Sequence, residues 1–401
     1  MSGPAPLAGL CVLDLGHTIM GPCAGMVLAD LGADVVKVEP PEGDATRRLP
    51  GFGAGFFATF NRNKRSLALD LKREEGRAAL HRLAARADIL LENYGPGTMA
   101  RLGCGWEVLE RLNPRLIYLA LKGYLAGPYE GRGALDEVVQ MQTGLAFMTG
   151  PPGRPLRAGA SVIDIMGAVF GVVGVLAALR ERDRSGRGQR VGSALFESAA
   201  FLVGSHIAGS AVTGAPMPPM PARRGTWGIY DVFESADGAQ VFVGVTSDAH
   251  WHRFTEAFGL PDLWADPRLA SNAGRAAGRD WLIPRLAEMF RTFPAADILA
   301  RCEAAAVPCA RIAHPVDLLD DPQMLAGGLL ETALTALGGG AGEQVGLPAL
   351  PLEFGADRQR AGLSRQPPGI GEHGAEVLRE AGFDAAEIAR LGMQGVLGGP
   401  I

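Results

Sequence analysis

Over the first 125 residues the chain switches between two patterns: short runs in which nearly every position is apolar, and longer stretches with helical spacing. The runs GLCVLDLG (9–16), VVKVE (35–39), SLALDL (66–71), ADILLEN (87–93) and LIYLALKG (116–123) have the length and continuity of strands buried on both faces. Between them, residues 20–31 and Glu74 to Arg86 read as helices, the first closed by Gly32, and Asn113-Pro114 marks a turn. Buried strands alternating with crossover helices predict an α/β fold, a Rossmann-like doubly wound parallel sheet.

Further along, 136–149 is helix-like, and 162–183 predicts a long, mostly apolar helix packed between other elements. The basic turn RERDRSGRGQR follows, then another apolar helix from about 193 to 212. GAPMPPMPARRG has the Pro-rich composition of a connector, which puts a large domain at 1–212 and a linker at 213–224. WGIYDVFESADGAQVFVGV then predicts two strands joined at Asp237-Gly238, with helices to about 305, so 225–330 is expected to form a smaller α+β domain. The Gly- and Pro-rich remainder, 331–401, with a last helix near 374–391, is expected to return to the large domain.

A length of 401 residues suits two cores. With 47% hydrophobic and 20% charged residues, and no long charge-free apolar run, a soluble protein without a membrane span is expected. Asp14 interrupts the only apolar stretch near the N-terminus, so no secretory signal is read and the cytoplasm is the expected compartment. The five cysteines are scattered, without a C-x-x-C pair, and imply neither a disulfide framework nor a metal site. A net charge of -5 argues against nucleic acid as a partner. Basic clusters at Arg47-Arg48, Arg62 with Lys64-Arg65, and Lys72-Arg73 suit the phosphates of a small anionic ligand or an ordinary solvated surface.

There is no G-x-S-x-G, H-E-x-x-H or Walker sequence, and the loop LDLGHTIMGPCAG lacks the glycine spacing of a nicotinamide site. Five stretches together resemble the class III CoA-transferase family, which includes formyl-CoA and carnitine CoA-transferases and the α-methylacyl-CoA racemases. They are VLDLGHTIMGPCAGMVLADLGADVVKVEPPEGD (12–44), FNRNKRSLALDLK (60–72), ADILLENYGPGTMARLG (87–103), LNPRLIYLALKGY (112–124) and RAGASVIDIMGAVFGVVGVLAALRERDRSGRGQRV (157–191).

The resemblance implies a CoA-transferase that moves coenzyme A between carboxylic acids, with Asp164 as nucleophile and mixed-anhydride and aspartyl-CoA intermediates. From position alone, Asp164 near the start of a helix reads as a cap, a reading the resemblance reverses, and its pKa is expected near or below about 4 because the helix N-terminus favours the carboxylate. Carried over from the family, the CoA-binding positions are His17, Thr18, Leu69, Lys72, Asn93, Tyr94, Arg101, Lys122 and Gly123, with Lys72 and Arg101 suited to phosphate. The oxyanion donors are expected to be backbone amides of a Gly-rich loop or helix terminus.

Some positions depart from the formyl-CoA branch: Pro40 stands where it has an arginine, Ile19 where it has a glutamine, and MPARRGTWG replaces its glycine-rich loop. Leu135, just before Asp136, replaces the proton-shuttling histidine of the racemases, which leaves racemization and a non-catalytic CoA-binding role as rival readings. Asp136 and Glu137 read as an acidic first helical turn without catalytic duty. KGYLAGPYEGRGALDEVVQMQTGLAFMTG (122–150) resembles the mesaconyl-CoA and other dicarboxylate branches, so acyl-CoA and a short dicarboxylic acid such as mesaconate or succinate are the expected substrates. A second carboxylate needs a cation, for which Arg223, Arg224 and Arg132 are the candidates. The family's interlocked two-chain rings imply a homodimer.

Overall fold

A computed structural model describes residues 5–222, 226–334 and 344–400. The chain divides into two compact units, one formed by Met1–Pro221 with Pro322–Ile401 and the other by Ala222–Asp321.

The first unit is built on a seven-stranded sheet. Its strands are β1 (Cys11–Asp14), β2 (Asp34–Glu39), β3 (Lys64–Leu69), β4 (Ile89–Glu92), β5 (Ile117–Lys122), β6 (Arg190–Ala194) and a C-terminal strand, Leu397–Gly398. Across the sheet the order is C-terminal strand, β3, β2, β1, β4, β5, β6. All neighbours are parallel except the C-terminal strand, which runs antiparallel to β3 with Leu397 opposite Leu69. Strands of this kind need cover on both faces. One face carries a core with Val12, Val35, Ile89 and Leu119, and the other a core with Leu13, Val36, Leu67 and Leu90, as the period of two along each strand requires.

The sheet's central strands also carry buried charges, each compensated. Lys64 Nζ lies 2.6 Å from Asp14 Oδ2, Lys37 Nζ 2.7 Å from Asp44 Oδ2, and Arg47 pairs with Glu39 at 2.7 Å. Paired and hydrogen-bonded, such groups fix register; stripped of one partner, they are costly.

The long helix Val162–Ser185 buries one stripe, including Ile163, Gly167, Gly171, Val175 and Leu179, against the sheet. Gly171 eases this approach, because a Cβ there would lie 2.9 Å from Leu121 Cδ2 and the leucine would have to shift. By length and composition this helix is apolar enough to cross a membrane, but its buried stripe belongs to the core of the unit. It ends at Gly186, in the left-handed conformation with φ of +75°, whose N–H donates to Arg182 O.

Three sequence expectations change at this level. The helix expected over 193–212 is β6 followed by the helices Leu195–Leu202 and Gly204–Thr213. Edge pairing decides it: Arg190 to Ala194 align with Tyr118 to Lys122 of β5, and Ser193 Oγ donates to Gly167 O at 2.7 Å. Residues 136–149 form two helices, Asp136–Gln142 and Leu145–Thr149, parted at Gly144 with φ of +83°. The last helix is likewise split into Gly374–Glu380 and Ala385–Met393, at Gly382 with φ of +85° and the Asp384/Glu387 capping box.

The second unit holds a three-stranded antiparallel sheet of Ile229–Glu234, Gln240–Val245 and Cys309–Arg311. Helices Asp248–Ala257, Arg279–Phe290 and Ala295–Ala304 supply Trp251, Phe254, Phe290 and Ile298 to its core.

Candidate active site

The strand order reverses between β1 and β4, and in open α/β sheets the crevice at the carboxyl ends of such strands is where ligands bind. A cavity of about 380 Å³ lies there. His17 and Thr18 reach it from the loop after β1, Asn93 and Tyr94 from the loop after β4, and Lys122 and Gly123 from the end of β5. Arg132 and, in the first turn of the long helix, Asp164 complete the set of sequence-predicted residues that line it. Leu69 stands outside the lining, buried in β3 opposite Leu397. So do Lys72, exposed just after Asp70, and Arg101, whose Nη2 donates to Thr98 Oγ1 at 2.8 Å. Arg223 and Arg224 lie outside the described residues.

The β1 loop is held from every side. Asp14 Oδ1 accepts the Gly16 N–H at 2.7 Å, and Lys37 Nζ donates to Gly16 O at 2.9 Å. Asn93 Oδ1 accepts the His17 N–H at 2.8 Å while its Nδ2 donates to His17 O at 2.9 Å. Gly16 and Gly21 pack backbone on backbone, since a Cβ on Gly16 would lie 2.6 Å from Gly21 Cα. Thr18 takes a left-handed φ of +64°, an uncommon state for a β-branched residue and one that such multiple anchoring sustains. The His17 ring sits 5.5 Å from that of Tyr94, and partial desolvation by the cavity walls lowers its basicity.

Lys122 is occupied by the protein itself. Its Nζ donates to Glu92 Oε2 at 2.6 Å and to Tyr94 O at 2.8 Å, while Glu92 also accepts the Tyr94 N–H at 2.9 Å. The lysine therefore shapes the turn carrying Asn93 and Tyr94, leaving one donor for a ligand. Arg132, in contrast, stacks on the Tyr129 ring at 4.1 Å, and no carboxylate among the described residues forms an ion pair with it.

Asp164 overturns the electrostatic expectation. Its carboxyl is pushed up to about 7 by burial, then by the negative charges of Asp136 and Glu137, with Arg157 opposing. The helix N-terminus does not hold it down, because the Ile163 and Asp164 N–H groups are directed at Asp136 Oδ2, at 3.0 and 3.3 Å. Glu137 is ion-paired with Arg157. Ile19, Met20, Phe52, Phe56, Leu135 and Leu195 form the apolar part of the wall.

Sequence reasoning assigns no site role to Glu130, Ser161, Phe52 and Phe56, and reads Asp136 and Glu137 as an acidic first turn without catalytic duty, although both line the cavity. The one available signal for Asp136 was its i, i+4 spacing to Gln140, whose Nε2 donates to Asp136 Oδ1 at 2.5 Å.

The model of CoA-transferase family III matches residues 7–374. The chain belongs to CoA-transferase family III. Among its family III relatives, the succinyl-CoA:mesaconate CoA-transferase of Haloarcula hispanica is 36% identical, covering 94% of this chain and 96% of that protein. The succinate–glutarate CoA-transferase of Agrobacterium fabrum is 32% identical over 94% of this chain and 95% of its own. A crystal structure of a CaiB/BaiF family protein from Brucella suis superposes with a TM-score of 0.82 at 31% identity, over 94% of this chain and all of that one. The mixed α/β architecture with its largely parallel sheet is thus shared with a solved family member, and this chain is a CoA-transferase.

Proposed function

We propose that the enzyme transfers CoA between short dicarboxylic acids such as succinate and mesaconate through covalent intermediates on Asp164. The observation that carries this reading is the placement of Asp164 in the cavity at the sheet's switch point, among the loops after β1, β4 and β5. The Asp164 carboxylate attacks the thioester carbon and the C–S bond breaks, giving a mixed anhydride and CoA thiolate. The thiolate attacks the aspartyl carbonyl and releases the donor acid, leaving an aspartyl-CoA thioester. The acceptor carboxylate then displaces the thiolate to form a second anhydride. Attack of the thiolate on the acceptor's acyl carbon yields the new acyl-CoA and frees Asp164. Every step conserves one activated acyl bond, so no external energy source is needed.

Mesaconate, succinate and glutarate, the acids in the relatives' names, all carry two carboxyl groups, which supports the dicarboxylate reading. Arg132, without an ion pair among the described residues and stacked on an aromatic face, suits the second carboxylate; Arg223 and Arg224 are further candidates. Lys72 and Arg101, both exposed, are the candidates for CoA phosphates. Racemization is disfavoured by Leu135, which lines the cavity where a proton-accepting side chain would be required. All five cysteines are free thiols, as a reducing cytoplasm maintains them.

A homodimer is part of this reading. On the long helix, Ile165, Val169, Phe170, Val173 and Leu176 are each more than a third exposed, a stripe that a second copy would cover. Light scattering at micromolar concentration is expected to give twice the mass of one chain, and a single-chain mass would reject the dimer.

The test of function is a matrix of acyl-CoA donors against free acids read by mass spectrometry, with hydroxylamine trapping during turnover. Transfer among diacids, an adduct on Asp164 and its loss in Asp164→Ala are expected. Efficient use of monocarboxylates without activity on diacids would remove the substrate reading, and full activity of a folded Asp164→Ala would remove the mechanism.

A further inference from the structure

Asp136 sits on a separate helix, is only 4% exposed, and lines the same cavity as Asp164. Its Oδ2 accepts two N–H groups, those of Ile163 and Asp164, that open the long helix. Gln140 holds its other oxygen, and Gln140 Oε1 in turn accepts the Ala158 N–H at 2.9 Å, tying down the segment that leads into that helix. Ser161, in the position of a conventional cap, makes no capping hydrogen bond among the described residues. The helix is therefore capped by a residue far away in sequence.

Building on the reading of Asp164 as the nucleophile, we propose that Asp136 is its positioning residue. It clamps the first turn of the nucleophile's helix and takes up the N–H groups that would otherwise stabilise the Asp164 carboxylate. Fixing that turn fixes the direction in which Asp164 leaves it. Occupying the N–H groups, and adding a like charge, leaves the attacking carboxylate under-stabilised and so more basic and more nucleophilic.

No other charge named around Asp164 supplies both the clamp and the like charge, although Glu137 adds to the latter. Glu137 is paired with Arg157, and Lys122 with Glu92. The Cys23 thiol, on the helix Met20–Asp30, is pushed up to about 12 by burial and stays neutral. His17, Glu130 and Arg132 reach the cavity from its loops. Among the described residues, only Asp136 combines a negative charge with a bond to the nucleophile's own backbone.

Two substitutions separate the charge from the clamp. Asp136→Asn keeps an oxygen able to accept both N–H groups but removes the charge and the bond from Gln140 Nε2, while Asp136→Ala removes the N–H acceptor as well. The protonation of Asp164 is followed by infrared difference spectroscopy on the full-length enzyme, its band assigned by its disappearance in Asp164→Asn. In Asp136→Asn the band is expected to titrate about one pH unit or more below its wild-type midpoint. Single-turnover acylation from succinyl-CoA above pH 8 is expected to slow about tenfold, with CoA affinity retained. Asp136→Ala is expected to be slower still and less stable. An unchanged Asp164 titration in folded Asp136→Asn, or wild-type acylation by folded Asp136→Ala, would overturn the proposal. Failure of the nucleophile reading shows up separately, as turnover by Asp164→Asn itself.

Discussion

Replacing Asp164 by asparagine should stabilise the fold, and by an amount that depends on pH. The carboxyl sits at about 7 in the folded chain against an ordinary 3.8. Below about pH 4 it is protonated in both folded and unfolded chains and contributes no difference. Between about pH 4 and 7 the unfolded chain releases a proton that the folded chain retains, so stability falls as the pH rises. Above about 7 the penalty is constant. At 1.36 kcal/mol per unit the full difference is about 4 kcal/mol, and residual solvent contact at this half-buried site brings it to about 2–4 kcal/mol. The asparagine variant escapes the penalty and keeps the side chain's shape. Urea denaturation of both proteins at pH 5 and pH 8, at equal protein concentration, isolates the effect of Asp164 and the acids coupled to it, because titrating groups away from the site cancel in the difference. The variant's advantage should be about 1–1.5 kcal/mol at pH 5 and about 2–4 kcal/mol at pH 8. An advantage equal at the two pH values would refute the argument that burial and Asp136 hold the proton on Asp164.

Other expectations follow from the loops and the buried pairs. Lys64→Met should destabilise the chain by about 3–5 kcal/mol in thermal or urea unfolding, because Asp14 is left buried without its partner. Gly16→Ala cannot fit without moving Gly21 or the Asp14 carboxylate, and isothermal titration should show weakened CoA binding. Asn93→Leu loses both bonds to the His17 backbone, about 1–3 kcal/mol together, and should raise KM for acyl-CoA more than it lowers kcat.

The parallel sheet was legible because its strands are continuous apolar runs, a signal that survives without tertiary information. β6 was not legible: RVGSA is short and half polar, and only pairing with β5 makes it a strand. The same limit governs the site. Asp164, Asn93 and Lys122 stood out through motif resemblance, but the partners that define their chemistry are distant in sequence. Glu92 claims Lys122, and Asp136 claims the N–H groups of Ile163 and Asp164. A sequence pattern shows an acidic first turn at Asp136 and an acidic first turn at Asp164. It does not show the burial of Asp164, nor that one acid occupies the helix end belonging to the other, and burial first, then the neighbouring acids, reverse the expected direction of the nucleophile's pKa.

The C-terminal strand has a consequence for biosynthesis. Strand β3 is translated early, but the strand that pairs with Ala68 and Leu69 at its outer edge, Leu397–Gly398, emerges only after the whole second unit has been translated. At ribosomal speeds that interval is roughly tens of seconds. Throughout it, the nascent first unit presents an unpaired edge on a strand, KRSLAL, whose residues are all buried in the finished fold. The second unit has no such gap, because its residues are contiguous. The order of emergence therefore favours early completion of the inserted unit, while the unit carrying the cavity waits with an edge open to aggregation or to chaperone binding.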